Sequence, residues 1–280
     1  MTVLEGLRVM SFNVLQMDGG GELHSWDKRK NLLAETIQLH VPDLLGTQEI
    51  FSEQSAFLLD KIPALQCFGS GRFGDQRDKH NSIFYNRHKF VLVDSGDLWF
   101  SRTPKIPGSS DWGIPSPRMV TWGRLHAIAG SDILILNTHL PYGREADEAR
   151  RQAALVVLQT IASLPFDLPL FLTGDFNASA DGEIHDLLTA TLSDAWSTAA
   201  ETCGPVGTFH GFGRLKGDRR MDWILHRNTA KTLNAETVVH LDGNLYPSDH
   251  YPVCATFFLD PVEQPTFAET KIGRTEKPLW

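Results

Sequence analysis

The chain is poor in cysteine. It has three, Cys67, Cys203 and Cys254, an odd number with no CxxC spacing, so neither a disulfide framework nor a thiolate zinc site is expected. It also lacks a basic surplus. The formal net charge is −8 over 280 residues, which argues against a broad grip on nucleic acid, since backbone phosphates are bound by clustered Lys and Arg. No apolar run approaches the roughly 18 residues that span a bilayer, so no membrane insertion is expected. The first residues, MTVLEGLRVMSFNV, show no basic segment followed by an apolar core and a small-residue cleavage site. The expected setting is the cytoplasm, and no obligate protein partner is evident. No fixed-period repeat, low-complexity tract or linker divides the chain. Residues 1–260 are expected to form one domain, with 261–280 a charged, aperiodic tail draped on the surface or disordered.

What is present is alternation. "LRVMSFNV", "PDLLGTQE", "NSIFYN", "FVLVDSGDLWF", "DILILNTHL", "LPLFLTGD", "MDWILH", "ETVVHL" and "YPVCATFFL" read as strands. "NSIFYN" and "FVLVDSGDLWF" read as a pair joined by a polar turn. Helical stripes run through "KRKNLLAETIQLH", closed by Pro42, through "EADEARRQAALVVLQTIASL", with acids in its first turn, and around Glu183–Leu192. Residues 101–118 form a long loop rich in Ser, Pro and Gly. Interleaved strands and helices indicate an α/β or layered α+β fold.

The polar residues sit where apolar runs stop. Asn13 follows one strand, Gln48 and Glu49 another, Asn137 and His139 a third, and Asp175 and Asn177 a fourth; Asp222 opens a strand, and Asp249 and His250 precede the last. Burying one such group without a partner costs on the order of 1–3 kcal/mol. The set is sensible if the groups converge on one another or on a ligand. Carboxylates with amides suit a hard cation, Mg²⁺ or Mn²⁺. A His flanked by carboxylates suits proton transfer, and a second His with Asn suits phosphoryl oxygens. The residues alone therefore describe metal-assisted hydrolysis of an anionic ester. A zinc hydrolase built on His139 and His250 is disfavoured, because oxygen donors outnumber imidazoles and H-x-x-x-H spacing is missing. Singly, each Asp or Asn has an ordinary reading as a turn or cap. His24, His40, His88, His126, His185, His226 and His240 carry no mark and read as surface or loop residues.

In order, "SFNV", "GTQE", "NTHL", "GDFN", "RMDWI" and "SDH" resemble the motifs of the endonuclease/exonuclease/phosphatase superfamily of deoxyribonuclease-like metallohydrolases, from about Leu7 to Phe258. "W-x-x-R" at Trp26 and Arg29, "WFSRTP" at 99–104, "PRMVTW" at 117–122 and "GTFHGF" at 207–212 resemble a bacterial subgroup. The resemblance implies a four-layer sandwich, two mixed β-sheets face to face with helices outside. It implies Glu49 as principal metal ligand with Asn13 and Asp249 beside it, and His250 as the base oriented by Asp222. Asp175 would position or deprotonate the nucleophile, Asn177 bind a phosphate oxygen, and His139 stabilise the transition state.

"GDFN" is expected to stay extended, with Asp175 and Asn177 on one face and Phe176 turned to the core. The chain departs from the subgroup after "NTHL", where Tyr142 or Arg144 could replace a missing His. Arg150 is a candidate phosphate contact, with an exposed helix charge as the plain alternative. Lys79 and His80 stand where the subgroup has an acid and an aromatic, which favours a more anionic substrate or marks a rim. Trp112, His210 and Phe212 could wall a pocket. The expected substrate is a small or short phosphoester. A nuclease stacking single-stranded nucleic acid on Trp112 and Phe212 is the first alternative, and a non-catalytic binding module of the same fold the second.

Overall fold

The structure is a computed structural model and describes residues 6–128, 130–215, 219–229 and 231–259. The expected tail, 261–280, lies outside the described residues. The first half of the chain runs β1 (Leu7–Asn13), α1 (Trp26–His40), β2 (Leu44–Gln48), α2 (Ser52–Lys61), β3 (Leu65–Phe68), β4 (Ile83–Asn86), β5 (Phe90–Trp99), β6 (Met119–Ala127) and β7 (Asp132–His139). The second half runs α3 (Asp147–Ser163), β8 (Leu170–Asp175), α4 (Glu183–Thr189), β9 (Ser193–Asp194), α5 (Ala195–Thr198), β10 (Glu201–Cys203), β11 (Asp222–Arg227), β12 (Lys231–Thr237) and β13 (Val253–Phe258).

Among the described residues, thirteen strands form two mixed sheets. One has seven strands in the order β10-β12-β13-β1-β2-β4-β3, the other six in the order β5-β6-β7-β8-β11-β9. Period-two alternation explains the layers. In β7, Ile133 and Ile135 face the other sheet while Leu134 and Leu136 face α3; in β8, Phe171 faces inward while Leu170 and Leu172 face outward. Leu7 and Val9 join the inner cluster, and Met10 and Phe12 pack outward on Leu33 and Ile37 of α1. Helices therefore cover both outer faces, α1 and α2 on one and α3 and α4 on the other. This is the expected four-layer sandwich.

Some strand expectations change. β4 and β5 are consecutive but not paired: β4 lies between β2 and β3 in the first sheet, and β5 pairs with β6 in the second. The segment between them crosses from one sheet to the other, delivering Phe90 to the cluster between the sheets. The strand read at "ETVVHL" lies earlier, at Lys231–Thr237. It pairs with β13 through an irregularity between Thr232 and Asn234, which interrupts the alternation a strand reading relies on. Helices α2 and α5 and strands β3, β6, β9 and β10 were not expected.

Beneath one end of the sandwich the inner layer turns polar. Gln48 Nε2 donates to Asn137 Oδ1 at 2.7 Å and to Ser11 Oγ at 3.1 Å, and Thr173 Oγ1 donates to the same Asn137 oxygen at 3.1 Å. Asn137 Nδ2 returns two bonds to the first sheet, to Thr47 O at 2.7 Å and Ser82 O at 3.1 Å. Gly46 makes room for this network, since a Cβ there would fall 2.0 Å from Thr173 Oγ1. Gln48 and Asn137 thus lock sheet to sheet.

Candidate active site

Strand direction brings the polar ends together. β1 and β2 are parallel, so Asn13 lies opposite Gln48, with Glu49 next along the chain. β7 and β8 are parallel, with His139 opposite Asp175. β11 is antiparallel to β8, which sets its first residue, Asp222, opposite Asp175 as well. β13 is antiparallel to β1, so the loop carrying Asp249 and His250 arrives at the same end. Motifs far apart in sequence thereby share one edge of the sandwich.

The contacts confirm the convergence. His250 Nδ1 lies 2.9 Å from Asp222 Oδ2, and its Nε2 lies 3.8 Å from Asp175 Oδ2. His139 Nε2 is 3.3 Å from the same Asp175 oxygen, and Asn13 Nδ2 donates to it at 2.9 Å. His139 Nδ1 is 4.0 Å from Glu49 Oε1. Ser248 Oγ donates to Asn13 O at 2.6 Å, tying the Asp249–His250 loop to β1. Arg29, fully buried, donates to Val14 O at 2.6 Å, Leu15 O at 2.7 Å, Pro247 O at 2.9 Å and Gln16 O at 3.1 Å. One guanidinium fork therefore holds the loops after Asn13 and before Asp249.

Two candidate site residues adopt left-handed backbone, Glu49 at φ 62° and Asn177 at φ 48°. Such conformations cost a non-glycine residue on the order of 1 kcal/mol and cluster at functional sites. At Asn177 the consequence differs from the extended "GDFN" expected. β8 stops at Asp175, whose Oδ1 accepts the Asn177 N–H at 3.0 Å, and Asn177 Nδ2 donates to Leu140 O at 3.0 Å. The two side chains are held by a turn closed on the Asp carboxylate rather than by strand alternation. Phe176 does point into the core, stacked on Trp223 at 4.2 Å.

Electrostatics sort the groups by protonation state. Burial opposes charge on His250, but Asp222 and then Asp175 outweigh it and raise its pKa to about 10. His139 moves the other way, well below the usual imidazole range, through burial and then the cations Arg118 and Arg72. Burial holds the Asp175 carboxyl above the usual carboxylate range, with His250 opposing. Burial also raises Asp249, against the pull of His250. His139 is thus neutral and His250 an imidazolium at neutral pH.

The donor set fits a hard cation. Beside Glu49, Asn13 and Asp249, ligand atoms of Asp175, Asp222 and His250 all lie within 4.8 Å of one another, an acidic cluster in which His250, as imidazolium, donates rather than ligates. Asp222 Oδ1, an acceptor, and His139 Nδ1, a donor or an acceptor by tautomer, are buried with no hydrogen-bond partner, open positions of the kind an ion or a substrate satisfies. Glu49 receives one long bond, from Gln16 N at 3.4 Å, which leaves its carboxylate free to ligate.

The remaining candidates are placed differently. Arg150 is buried and committed: its Nη1 donates to Gly143 O at 2.9 Å and Pro141 O at 3.0 Å, and its Nη2 pairs with Asp147 at 2.5 Å. It braces the loop after β7. Tyr142 is 76% exposed and Arg144 is exposed on that loop, neither bonded through its side chain among the described residues. Trp112 packs against the core cluster that faces α3, and Phe212 stacks on His24 at 4.1 Å and 4°. His210 is buried between Tyr251 and Tyr246, with ring centroids at 4.0 Å and 4.7 Å. Burial, then His250, lowers its pKa to about 4.

Three histidines read as unmarked are buried as well. His24 stacks on Phe212, His185 pairs with Asp194 at 2.7 Å, and His226 sits among Thr198, Thr229 and Thr232. Sequence reading gave no role to two cations near Glu49, the buried Arg72 and the half-buried Arg118, the latter within "PRMVTW". A single Arg in a loop carries no periodic signal.

A sandwich that gathers acids, amides and two histidines at one edge defines a class of phosphoester hydrolases. Residues 10–250 match the Endonuclease/Exonuclease/phosphatase family, and the chain belongs to it. A crystal structure of an endonuclease/exonuclease/phosphatase from Bacteroides vulgatus superposes with a TM-score of 0.86 and 28% identity, covering 91% of this chain and 99% of that one. A mannosyl-6-phosphatase from Bacteroides thetaiotaomicron VPI-5482 gives 0.83 and 28%, covering 90% and 100%. Human Nocturnin is 24% identical over 283 residues, which cover 88% of this chain and 62% of that protein. The chain is a hydrolase of phosphoester bonds.

Proposed function

We propose that the protein is a Mg²⁺- or Mn²⁺-dependent phosphoesterase that hydrolyses a small or short phosphoester by in-line attack of water. The observation that carries the reading is the Asp222–His250–Asp175–His139 array, with Asn13, Glu49 and Asp249 beside it. A bound divalent cation supplies Lewis-acid stabilisation of a phosphoryl oxygen and lowers the pKa of water. Glu49, Asn13 and Asp249 would hold it.

The protein's own groups do the rest. Asp222 keeps His250 oriented and protonated, so its Nε2–H is ready to donate to a phosphate oxygen or to the departing alkoxide. Asp175, with its raised proton affinity, takes the proton from water as the new P–O bond forms and the bond to the leaving group breaks. Of the two acceptors that the resemblance implies, this selects Asp175 over His250, because an imidazolium has no lone pair to offer. Asn177 Oδ1 is unused within the protein, but its amide nitrogen is spent on Leu140. Neutral His139 stabilises the developing charge through hydrogen bonding.

Similarity to a mannosyl-6-phosphatase supports a small substrate, as does the negative net charge. The stacking faces a nuclease would use at Trp112 and Phe212 are engaged in internal packing. A binding module has no need of so complete a proton-transfer array. We place the activity in one domain, residues 1–260, in the cytoplasm. Metal-dependent turnover of a chromogenic phosphoester that is abolished by EDTA tests the reading; turnover unaffected by EDTA would overturn it.

A further inference from the structure

The array accounts for the acids of the site but not for its cations. Glu49 is followed by Ile50, whose carbonyl accepts the His80 N–H at 2.7 Å in an isolated bridge, and His80 is bridged in turn to Gly71. The Arg72 N–H donates to Lys79 O at 3.0 Å, and Trp99 Nε1 donates to Arg72 O at 2.6 Å. This ladder fixes Arg72 and Lys79 beside Glu49. Lys79 Nζ reaches Gln16 Oε1 at 2.5 Å, and the Gln16 N–H in turn faces Glu49. Arg118 arrives from the start of β6, its carbonyl held by Phe100 N at 2.8 Å.

Arg72 is 97% buried, yet its Nη2 has no partner, and neither has the buried Nη1 of Arg118. Neither guanidinium pairs with a carboxylate among the described residues. A buried cation without a direct ion pair is costly, and here two stand together with a lysine, offset only at longer range by Glu49 and Asp78. Burial and then Arg72 bring Arg118 down to about 9, and burial lowers Arg72, with Glu49 opposing. What they lack is an anion with several acceptor oxygens.

We infer that Arg72 and Arg118, with Lys79, form an anion subsite beside Glu49 that takes the doubly charged terminal phosphate of a phosphomonoester. The inference rests on the phosphoesterase reading and deepens it from ester to monoester. Two planar forks offer paired N–H donors that match phosphate oxygens. A monoester carries about two negative charges at neutral pH, whereas a diester carries one and buries one oxygen under a second substituent. Buried neighbouring cations therefore discriminate by charge, which solvent-exposed lysines do poorly.

The test compares p-nitrophenyl phosphate with bis-p-nitrophenyl phosphate, which share a leaving group, in the parent protein and in Arg72→Gln, Arg118→Gln and Arg72→Lys. In both Gln variants the monoester-to-diester ratio of kcat/KM should fall at least about tenfold, with Arg72→Lys intermediate. Calorimetric affinity of the Mn²⁺-loaded protein for inorganic phosphate should fall by a similar factor. This second readout is independent of turnover, so a protein inactive on both esters but binding phosphate through Arg118 would sink the phosphoesterase reading and keep the subsite. An equal loss on both esters, or an unchanged ratio and phosphate affinity, would overturn the subsite. If Arg72→Gln fails to fold, Arg118→Gln, at a less buried position, carries the test.

Discussion

Replacing Arg29 by Met isolates what a single buried side chain contributes to the site without touching a metal ligand. The substitution keeps much of the apolar stem but removes four donated hydrogen bonds, to Val14, Leu15, Gln16 and Pro247. Bonds from a charged donor contribute about 1.5–3 kcal/mol each, but a simple sum overstates the loss. Leu15 and Gln16 are partly exposed, and their carbonyls can turn to water. Val14 and Pro247 are buried, and stranding those two oxygens costs about 1–3 kcal/mol each. The expected destabilisation is therefore about 4 kcal/mol, a large share of the roughly 5–15 kcal/mol typical of a domain. Urea unfolding followed by tryptophan fluorescence measures it. The loops after Asn13 and before Asp249 should loosen together, so the concentration of Mn²⁺ giving half-maximal activity should rise in protein that is still folded. Arg29→Lys, a cation without the fork, should fall between. A midpoint corresponding to less than about 1 kcal/mol, with unchanged metal dependence, would refute the clamp.

Other expectations follow from the same geometry. Asp222→Asn removes the charge that keeps His250 protonated; kcat should fall roughly 10²–10³-fold with little change in metal affinity, and full activity would break the orienting role. Glu49→Gln should shift Mg²⁺ or Mn²⁺ activation to higher concentration, and an unchanged metal titration would remove Glu49 from the site. Gly46→Ala drives a methyl into the Asn137–Thr173 network between the sheets and should cost about 1–3 kcal/mol, read from the thermal midpoint. Burial lowers the pKa of His226 from 6.5 to about 4. A group depressed this way takes up a proton on unfolding, so stability should decline as pH falls from 6.5 towards 4 and level off below. This amounts to about 2–3 kcal/mol. His226→Gln should flatten that part of the acid-stability profile, and an identical slope would show that the proton uptake lies elsewhere.

Much of the site was legible because it is written at strand ends. An apolar run that stops at Asp175 or His139 announces both a buried strand and a polar group at its tip, and motif order then implied the sandwich. What was not legible depends on tertiary placement. Arg150 sits on a helix as a phosphate-binding arginine would, but the loop carbonyls it braces cannot be read from periodicity. Phe212 and His24 look like a free aromatic and a loop histidine until the fold stacks them. Arg72 and Lys79 become neighbours of Glu49 through two isolated bridges, a pairing too short to leave a pattern. β4 and β5 read as a hairpin because sequence shows adjacency and not the sheet each strand joins. The left-handed turn at Asn177 was missed because "GDFN" continues an apolar run, and its one glycine, Gly174, lies inside β8 rather than at the turn.

The most direct test of the account is ester hydrolysis in the presence of Mn²⁺, Mg²⁺ or EDTA, measured for the parent protein and for His250→Ala across aryl mono- and diesters, sugar phosphates and single-stranded oligonucleotides. The account predicts metal-dependent turnover of small phosphoesters that EDTA abolishes and that falls roughly 10²–10⁴-fold in the variant. Turnover that survives EDTA, or that His250→Ala leaves intact, would contradict it.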